Sequence, residues 1–316
     1  MNSKIIVTGG AGFIGSNLVK ALLSNDLEVH VFDNLSSGRK SNIPIKNPNL
    51  FFHHIDLKSD LNDWPVVSAK KLFHFAANAD VKGGLKNYNI DFHENICVTK
   101  SVCDYCRKHK IEHVTFASSA TVYGEPKVFP TPEDCSLKQT SLYGASKLSS
   151  EAMIQAYSEY GIFSSCIFRF VSWTGAGYSH GVIYDFVKKL LKNNKELLIL
   201  GDGNQTKSYL DVKDGISGVL GLSEKVNKNS KIFNLGHNET MNVIDLANII
   251  CNQMNLKDVH FKFTGGEKGW IGDSPLVHLD TTLAKSFGWY PRIGIEQSIR
   301  GTVDYLLSSP DKFFRD

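Results

Sequence analysis

Four tyrosines in this chain are each followed four residues later by a lysine: Tyr123/Lys127, Tyr143/Lys147, Tyr184/Lys188 and Tyr209/Lys213. On a helix, residues at this spacing lie on one face. A nearby ammonium group favours the ionised form of a phenol, which can then exchange protons with a substrate. Chance also produces such pairs in a lysine-rich chain, so the surrounding elements must select one of them.

Strand-like and helix-like segments alternate through the first 170 residues. The strand-like segments are KIIVTGG, LEVHVFD, NLFFHHID, KKLFHFAAN, HVTFASS and FSSCIFRF, and helix-like segments cover 13–23, about 91–109, and 142–160. Strands rich in Val, Ile and Phe that alternate with helices predict an α/β fold with a doubly wound parallel (Rossmann) sheet. Such a sheet binds ligands at the carboxyl ends of its strands.

The rhythm changes after Arg169, where Gly-rich turns separate shorter elements. This change predicts a nucleotide-binding domain over 1–169, rejoined by about 208–235 through SYLDV and IFNLG. A smaller C-terminal α/β substrate-binding region would then comprise 170–207 and 236–316.

Position singles out Tyr143. It begins a helix just after the strand HVTFASS, on the ligand-binding side of the predicted sheet. Gly124 and Pro126 interrupt the pair that begins at Tyr123, and the other two pairs follow the change in rhythm. A free tyrosine has a pKa of about 10, so ionisation near neutrality requires a shift of roughly three units. We expect Lys147 and the helix N-terminus to supply part of that shift.

The segment TGGAGFIGS places glycines at 9, 12 and 15 between a strand and a helix. This pattern allows a tight turn, close approach of the backbone to a pyrophosphate, and helix–strand packing. The second strand ends in Asp33, 18 residues beyond Gly15. A carboxylate there binds ribose hydroxyls and repels a 2′-phosphate, so the cofactor is expected to be NAD and not NADP.

Two further strand ends offer cofactor contacts. Asp56 ends the third strand and is either an adenine-side contact or a helix cap. Phe75, Ala76 and Ala77 end the fourth strand with mostly small residues, which would let a cofactor lie close to the backbone or would serve helix packing.

Composition and charge exclude several classes of protein. A net charge of +3 with scattered lysines is not a nucleic-acid footprint, and no apolar run is long enough for a membrane span. The N-terminus shows no secretory signal pattern. Cys103 and Cys106 lie in a helix-like segment without a second pair, so reduced thiols and no metal site are expected. A cytoplasmic protein is the simplest interpretation.

The motifs TGGAGFIGS, DNLSSG, SSATVYGEP, YGASK, GDGNQ and GDSP occur in an order that resembles the extended short-chain dehydrogenase/reductase superfamily. Within it, the chain is most similar to the nucleotide-sugar epimerases of the UDP-glucose (UDP-galactose) 4-epimerase type. The resemblance implies that Tyr143 is the acid–base group, that Lys147 binds the nicotinamide ribose and that Ser119 hydrogen-bonds the reacting hydroxyl. The positive nicotinamide ring is then expected to lower the pKa of Tyr143 together with Lys147 and the helix N-terminus. It also suggests a homodimer that pairs the helices near 91–109 and 142–160.

The same resemblance implies two sets of binding residues. Expected NAD contacts are Gly9, Gly12, Phe13, Ile14, Gly15, Asp33, Asn34, Ser36, Ser37, Gly38, Asp56, Leu57, Phe75, Ala76, Ala77, Asn95, Tyr143, Lys147 and Val171. Expected contacts with a nucleotide sugar, most simply a UDP-sugar, are Ser119, Thr121, Tyr143, Ser172, His180, Val182, Lys207, Tyr209 and Lys268.

Three residues decide between reactions. In the related sugar dehydratases, Thr is followed by Asp and Glu, which move protons for the elimination of water. The matching positions here are Ser119, Ala120 and Thr121, which cannot do this. The sequence therefore favours C4 epimerisation through a transient 4-keto sugar. A reductase, dehydrogenase or dehydratase of the same fold and a non-catalytic NAD-binding protein remain alternatives.

The substrate half departs from the family pattern at several positions. Ser172 stands where relatives usually have Asn, and Lys207 stands where they have Arg, so a cation is kept without the bidentate fork. Trp270, with Lys268 two residues earlier, stands where many epimerases carry an Arg. His180 either faces the nucleotide or is merely solvated.

Overall fold

The computed structural model of the chain describes residues 3–308. Its strands are β1 (Lys4–Thr8), β2 (Glu28–Asp33), β3 (Leu50–His54), β4 (Lys71–His74), β5 (His113–Ser119), β6 (Ser164–Phe170), β7 (Ser172–Thr174), β8 (Glu196–Ile199), β9 (Thr206–Lys207), β10 (Tyr209–Asp211), β11 (Ser230–Leu235), β12 (Met241–Asn242), β13 (His260–Phe263) and β14 (Leu276–Val277). Its α-helices are α1 (Phe13–Leu23), α2 (Val98–His109), α3 (Leu142–Glu159), α4 (Val182–Lys192), α5 (Val212–Ser223), α6 (Val243–Gln253), α7 (Thr282–Ser286) and α8 (Ile295–Ser308).

Seven parallel strands form the central sheet in the order β11-β6-β5-β4-β1-β2-β3. The strand order reverses between β1 and β4, because the chain winds outward from β1 to β3 and then returns to add β4 on the other side. A crevice for ligands opens outside the carboxyl ends of the strands at such a reversal. The predicted doubly wound α/β fold is confirmed.

Both faces of this sheet are covered, which explains the nearly continuous apolar strands. Alternate residues of a strand point to opposite faces. In β1, Ile5 and Val7 belong to one buried apolar cluster, which includes α1 and α5, whereas Ile6 belongs to the other, which includes α2 and part of α3. The apolar runs of the sequence therefore mark strands with two buried faces.

One predicted helix begins differently. The helix-like segment near 91–109 opens with a π-helical turn over Phe92–Cys97 before α2 continues to His109. A π-turn accommodates one additional residue per turn and often occurs at functional sites. Here it includes Asn95, a buried residue whose side chain lies against the neighbouring helix α3.

The strands after residue 170 only partly follow the expectation. IFNLG joins the central sheet within β11, as predicted. SYLDV does not, because β10 pairs with β7 in a separate two-stranded sheet. The remaining short strands form one three-stranded sheet, β12-β9-β14, and one two-stranded sheet, β13-β8. The division into a nucleotide-binding domain and a substrate-binding region stays a prediction.

Within residues 3–308, none of the helices has the length and hydropathy that a bilayer crossing requires. The predicted cytoplasmic location stays a prediction.

Candidate active site

The loop between β1 and α1 passes very close to other backbone. Gly9 has a φ of +68°, and a Cβ there would lie 2.6 Å from the backbone nitrogen of Ala76. A Cβ on Gly15 would lie 2.1 Å from the carbonyl oxygen of Gly9. Gly12 is different, because its φ of −75° suits any residue and a Cβ would meet only the Gly9 carbonyl oxygen, at 3.3 Å. Packing therefore requires Gly9 and Gly15, whereas Gly12 leaves space open beside the start of the helix.

That open space lies at the N-terminus of α1. Gly12 caps the helix without a side-chain hydrogen bond, and the first turn contains no acidic residue. The first N–H groups of a helix, including those of Phe13 and Ile14, have no partner within the helix, and the helix dipole favours an anion there. The site therefore fits the pyrophosphate of a dinucleotide.

Asp33, at the end of β2, is fixed beside the glycine loop. It is 7% exposed, its Oδ2 accepts a hydrogen bond from the Ala11 N–H (2.9 Å), and its Oδ1 accepts one from the Leu35 N–H (2.8 Å). Each carboxylate oxygen retains a second acceptor position. The arrangement fits the predicted bond to ribose hydroxyls.

The segment from Asn34 to Gly38 folds back onto the glycine loop. Asn34 Oδ1 accepts a hydrogen bond from the Ser36 N–H (3.0 Å). A Cβ on Gly38 would lie 2.8 Å from the carbonyl carbon of Ala11. Ser36, Ser37 and Gly38 therefore lie near Asp33, on the side expected for the adenosine ribose.

Asp56 and Leu57 follow β3 at the same edge of the sheet. Asp56 Oδ1 accepts a hydrogen bond from the Lys58 N–H (2.9 Å), so this carboxylate does cap a turn. Its side chain is nevertheless 46% exposed, and Leu57 beside it is buried. Both predicted roles of Asp56, as a cap and as an adenine-side contact, fit this geometry.

Phe75, Ala76 and Ala77 leave β4 against the glycine loop and are partly buried. A side chain at Gly9 would clash with the backbone of Ala76, so the two segments are in close contact. Asn95 lies behind them: its Oδ1 accepts a hydrogen bond from the Asn78 N–H (2.9 Å). The backbone of this segment therefore packs directly on the glycine loop, and the predicted cofactor approach stays a prediction.

The three expected catalytic residues come from the end of β5 and the first turns of α3. Ser119 is the last residue of β5, and its Oγ accepts hydrogen bonds from the N–H (3.2 Å) and the hydroxyl (3.0 Å) of Thr121. Ser141 caps α3 by accepting a hydrogen bond from the Gly144 N–H (3.0 Å). This cap fixes the first helical turn, which contains Tyr143.

Lys147 lies one turn further along α3 and is only 3% exposed. Its Nζ donates a hydrogen bond to the carbonyl oxygen of Ala117 (3.0 Å) and lies 5.8 Å from the centre of the Tyr143 ring. Burial lowers the pKa of Lys147 to about 8, against the opposing charges of Asp91 and Glu151. The pair selected from the sequence therefore does share one helical face.

The environment of Tyr143 includes a negative charge that the sequence did not indicate. Burial raises the pKa of the Tyr143 hydroxyl most, the charge of Asp91 raises it further, and the hydrogen bond with Ser119 lowers it. The ammonium of Lys147 bonds to the backbone carbonyl of Ala117. The protein residues alone therefore raise this pKa, and the lowering expected with a bound, positively charged nicotinamide stays a prediction.

The tyrosines of the other three tyrosine–lysine pairs make contacts within the protein. Tyr123 is buried, and its hydroxyl donates to Asn234 Oδ1 (2.7 Å) and accepts from Arg169. Tyr184 lies on α4 beneath the ammonium of Lys188, and Tyr209 is buried in β10.

Two predicted substrate contacts flank the catalytic residues. Thr121 lies in the short 3₁₀ turn that follows β5, next to Ser119. Ser172 is exposed at the start of β7, and Val171 before it is buried with its N–H bonded to the Leu235 carbonyl oxygen (3.2 Å).

The N-terminus of α4 lies next to two predicted substrate contacts, His180 and Val182. Gly181, with a φ of +100°, caps it without a side-chain hydrogen bond, and Val182 is its first residue. His180 precedes it, is exposed, and stacks on Tyr178 with the ring centres 6.2 Å apart. Partial desolvation of the imidazole by its neighbours lowers the pKa of His180, while the charges of Asp80 and Asp185 raise it.

Lys207 is already paired within the protein. Its Nζ lies 2.6 Å from Oδ1 of Asp273, which is 6% exposed and also accepts a hydrogen bond from the Gly269 N–H (3.2 Å). The charge of Asp273 also raises the pKa of Tyr209, although burial contributes more. Asp273 belongs to the GDSP motif but was not predicted as a site residue.

Lys268 and Trp270 lie in the Gly-rich segment before Asp273. The ammonium of Lys268 forms an ion pair with Glu125, from the loop after β5. The ammonium of Lys82, from the loop after β4, lies 5.8 Å from the centre of the Trp270 ring. Both contacts connect this segment to loops at the carboxyl edge of the sheet.

A buried ion pair supports α3 from below. Glu151 and Arg169 are 1% and 2% exposed, with Arg169 Nη2 2.8 Å from Glu151 Oε2. Ser118, from β5, donates a hydrogen bond to Glu151. Because Glu151 follows Lys147 by one helical turn, this network fixes the helix that carries both Tyr143 and Lys147.

The chain matches the profile of the NAD dependent epimerase/dehydratase family over residues 5–236. A Methanocaldococcus jannaschii protein provisionally assigned as a UDP-glucose 4-epimerase is 33% identical, with 96% of this chain and 99% of that protein covered. The crystal structure of a UDP-galactose 4-epimerase is 34% identical with a TM-score of 0.87, covering 97% of this chain and 99% of that one.

A second similar structure is the UDP-glucuronic acid 4-epimerase of Bacillus cereus in complex with UDP-glucuronic acid and NAD. It is 26% identical with a TM-score of 0.88, covering 96% of this chain and 99% of that one. The predicted cofactor, NAD, agrees with the family and with the cradle formed by Gly12, α1 and Asp33. The chain belongs to the NAD-dependent epimerase/dehydratase family.

Proposed function

We propose that the protein is an NAD-dependent epimerase that inverts C4 of a UDP-sugar of the UDP-glucose/UDP-galactose type through a transient 4-keto sugar. Two kinds of observation support the proposal. Ser119, Tyr143 and Lys147 meet at the carboxyl edge of the sheet, beside the glycine loop. The similar proteins described above are named for 4-epimerisation of UDP-sugars.

Residues in the turn after β5 favour epimerisation over dehydration. Elimination of water requires an acid and a base in addition to the tyrosine, which dehydratases provide as Asp and Glu. Ala120 offers a methyl group, and the Thr121 hydroxyl donates its proton to Ser119 Oγ (3.0 Å). Neither side chain can shuttle protons near neutral pH.

When bound, NAD would supply the hydride acceptor and donor for oxidation of the sugar carbon and reduction of the keto sugar from its opposite face. Tyr143 accepts the proton of the sugar hydroxyl and later gives it back. Ser119 orients that hydroxyl, and Lys147 holds the cofactor ribose. Because the protein residues alone raise the pKa of Tyr143, ionisation relies on the positive charge of the oxidised cofactor.

The nucleotide half of the substrate would bind at the start of α4. The N-terminus of α4 would favour a diphosphate through its helix dipole. Unlike α1, its first turn contains an acidic residue, Asp185, and the Ile183 N–H is already bonded to the Tyr178 hydroxyl. Lys207 would supply a cation for the diphosphate. Its ammonium already forms an ion pair with Asp273, so the two anions would share it. Lysine makes a point contact where arginine would make two parallel hydrogen bonds, so a weaker grip on the diphosphate is expected.

One experiment tests the reaction and the sugar together. The NAD-loaded protein is incubated in heavy water with UDP-glucose, UDP-N-acetylglucosamine or UDP-glucuronate, and products are followed by NMR. An epimerase gives the C4 epimer without deuterium on carbon. A 4-keto-6-deoxy product labelled by solvent would show a dehydratase, and stoichiometric consumption of added NADH would show a reductase; either result overturns the proposal.

We also propose a homodimer through the exposed side of α2 and α3. Apolar side chains are exposed at the start of both helical segments, with Phe92 51% and Leu142 45% exposed. Light scattering after size-exclusion chromatography tests this, and a mass of one chain at micromolar protein would refute it.

A further inference from the structure

Asp91 is a buried carboxylate that the proposed mechanism does not use. It lies directly before the π-turn at Phe92 and is 2% exposed. Its Oδ1 accepts hydrogen bonds from Asn78 Nδ2 (2.9 Å) and Asn95 Nδ2 (3.3 Å). Within residues 3–308, no donor reaches its buried Oδ2.

A carboxylate in this position is costly unless a positive charge compensates it. Two neutral amide donors on one oxygen do not replace the hydration that both oxygens lose on burial. Burial accordingly raises the pKa of Asp91 and the charge of Asp80 raises it too, whereas the bond from Asn78 and the charge of Lys147 lower it. The compensating cation is therefore Lys147.

Hydrogen bonds connect Asp91 to the helix that carries this lysine. Asn95 Nδ2, which donates to Asp91, also donates to Oγ of Ser146 (2.8 Å). Ser146 immediately precedes Lys147. A Cβ on Gly84 would lie 2.9 Å from Asp91 Oδ2 and 3.4 Å from the Cβ of Leu142, so the carboxylate lies close to the start of α3.

Three other titratable groups act near Lys147 or Asp91. Glu151, on α3, also raises the pKa of Lys147, but it is paired with Arg169 of β6 at 2.8 Å. His74, on β4, is neutral near physiological pH, because burial and the charge of Lys147 lower its pKa to about 3. Asp80, in the loop after β4, is exposed, and its charge raises the pKa values of Asp91 and His180.

We propose that Asp91 is a positioning residue of the active site, whose carboxylate keeps the buried ammonium of Lys147 protonated and raises the energy of the Tyr143 phenolate. The second part follows from charge repulsion. Asp91 thus sets the pH range over which a protonated lysine and an ionised tyrosine can coexist. The role in turnover rests on the proposed function, whereas the effect on Lys147 does not.

Asp91→Asn in the NAD-loaded protein tests this. Asn has nearly the same shape and keeps an acceptor oxygen for Asn78 and Asn95. Without the negative charge, Lys147 should lose its proton at a pH lower by about one unit, the lower end of the usual effect of a close charge. NMR of isotope-labelled lysine side chains measures this midpoint, with Lys147→Arg to assign the signal.

The pH profile of kcat/KM gives a second readout. Its acidic limb requires ionised Tyr143 and its basic limb requires protonated Lys147, so both limbs should move to lower pH in Asp91→Asn. A merely structural role would lower the rate without moving the limbs, and that result overturns the proposal. An unmoved Lys147 midpoint overturns it even if the protein proves not to be an epimerase.

Asp80→Asn is the matched control, since it removes the same charge from an exposed position nearby. It should leave the Lys147 midpoint in place, and an equal shift in both variants overturns the proposal. If Asp91→Asn does not fold, Lys147→Met tests the same coupling from the other side, because coupling between sites is reciprocal. The Asp91 carboxyl should then titrate at higher pH, and an unchanged midpoint refutes the inference.

Discussion

Gly12→Ala should weaken NAD binding while changing the stability of the fold only slightly. The φ of −75° at Gly12 suits alanine, and the new Cβ would meet only the Gly9 carbonyl oxygen, at 3.3 Å. That contact requires a shift of a few tenths of an ångström. Replacing glycine also reduces the entropy of the unfolded chain, which stabilises by about 0.4–1 kcal/mol where the backbone is compatible. The free energy of unfolding should therefore change by less than about 1 kcal/mol.

The effect on NAD should be much larger. The methyl group would occupy the space in front of the first N–H groups of α1, where the pyrophosphate is expected. Loss of one charge-assisted hydrogen bond costs about 1.5–3 kcal/mol, which weakens binding roughly 10- to 100-fold. Urea denaturation measures the stability, and calorimetric titration of NAD into cofactor-free protein measures the affinity.

Gly301→Ala is the control, because it makes the same glycine-to-alanine change in a helix away from the proposed site. Gly301 lies within α8 with no atom inside 4 Å of its Cβ position, so alanine should stabilise the helix by about 0.5–1 kcal/mol and leave NAD affinity unchanged. If Gly12→Ala folds and binds NAD as tightly as the unsubstituted protein, the pyrophosphate does not lie at α1.

Three further outcomes are expected. Tyr143→Phe should reduce epimerisation by at least about 100-fold in the NMR assay while NAD content stays unchanged, and retained turnover would remove Tyr143 from the mechanism. Glu151→Gln should lower the free energy of unfolding in urea by about 3–5 kcal/mol, because it leaves Arg169 as a buried unpaired charge; a loss below 1 kcal/mol would contradict the network. Lys207→Met should raise KM for the UDP-sugar about tenfold through loss of a charge-assisted bond, whereas Lys207→Arg should not; equal KM values in steady-state kinetics would exclude Lys207 from the diphosphate site.

The sheet and the glycine loop were predictable because their signals are local. Gly15 is required by contacts within the glycine loop itself, and Asp33 follows from the end of β2. The helical spacing of Tyr143 and Lys147 is also local, so sequence context could select this pair from four. The family motifs added the roles that spacing alone does not give.

Features that depend on distant partners were missed. The pairing of Lys207 with Asp273 joins residues 66 positions apart, although the GDSP motif marked Asp273 as worth attention. No sequence signal distinguished Asp91, because its burial arises from a π-turn and from the loop that contains Gly84. Its negative charge raises the pKa of Tyr143, in addition to the larger effect of burial.

Helix α3 shows why hydrophobic periodicity alone would have misplaced the site. Its buried side includes one large apolar residue, Ile154, among small, polar and charged ones: Gly144, Ser146, Lys147, Ser150, Glu151 and Ser158. Each buried hydroxyl or charge has a partner on another element, namely Asn95 for Ser146, Ala117 for Lys147, Thr99 for Ser150, Arg169 for Glu151 and Ser165 for Ser158.

Apolar packing tolerates small rotations of a helix, because contacts between methyl groups are not directional. Hydrogen bonds to buried partners do not, since each one that breaks leaves a desolvated group at a cost of about 1–3 kcal/mol. A rotation of α3 that moved Tyr143 away from Ser119 would break several of these bonds at once. The polar buried side of α3 therefore fixes the rotation of this helix and keeps Tyr143 next to Ser119 of β5.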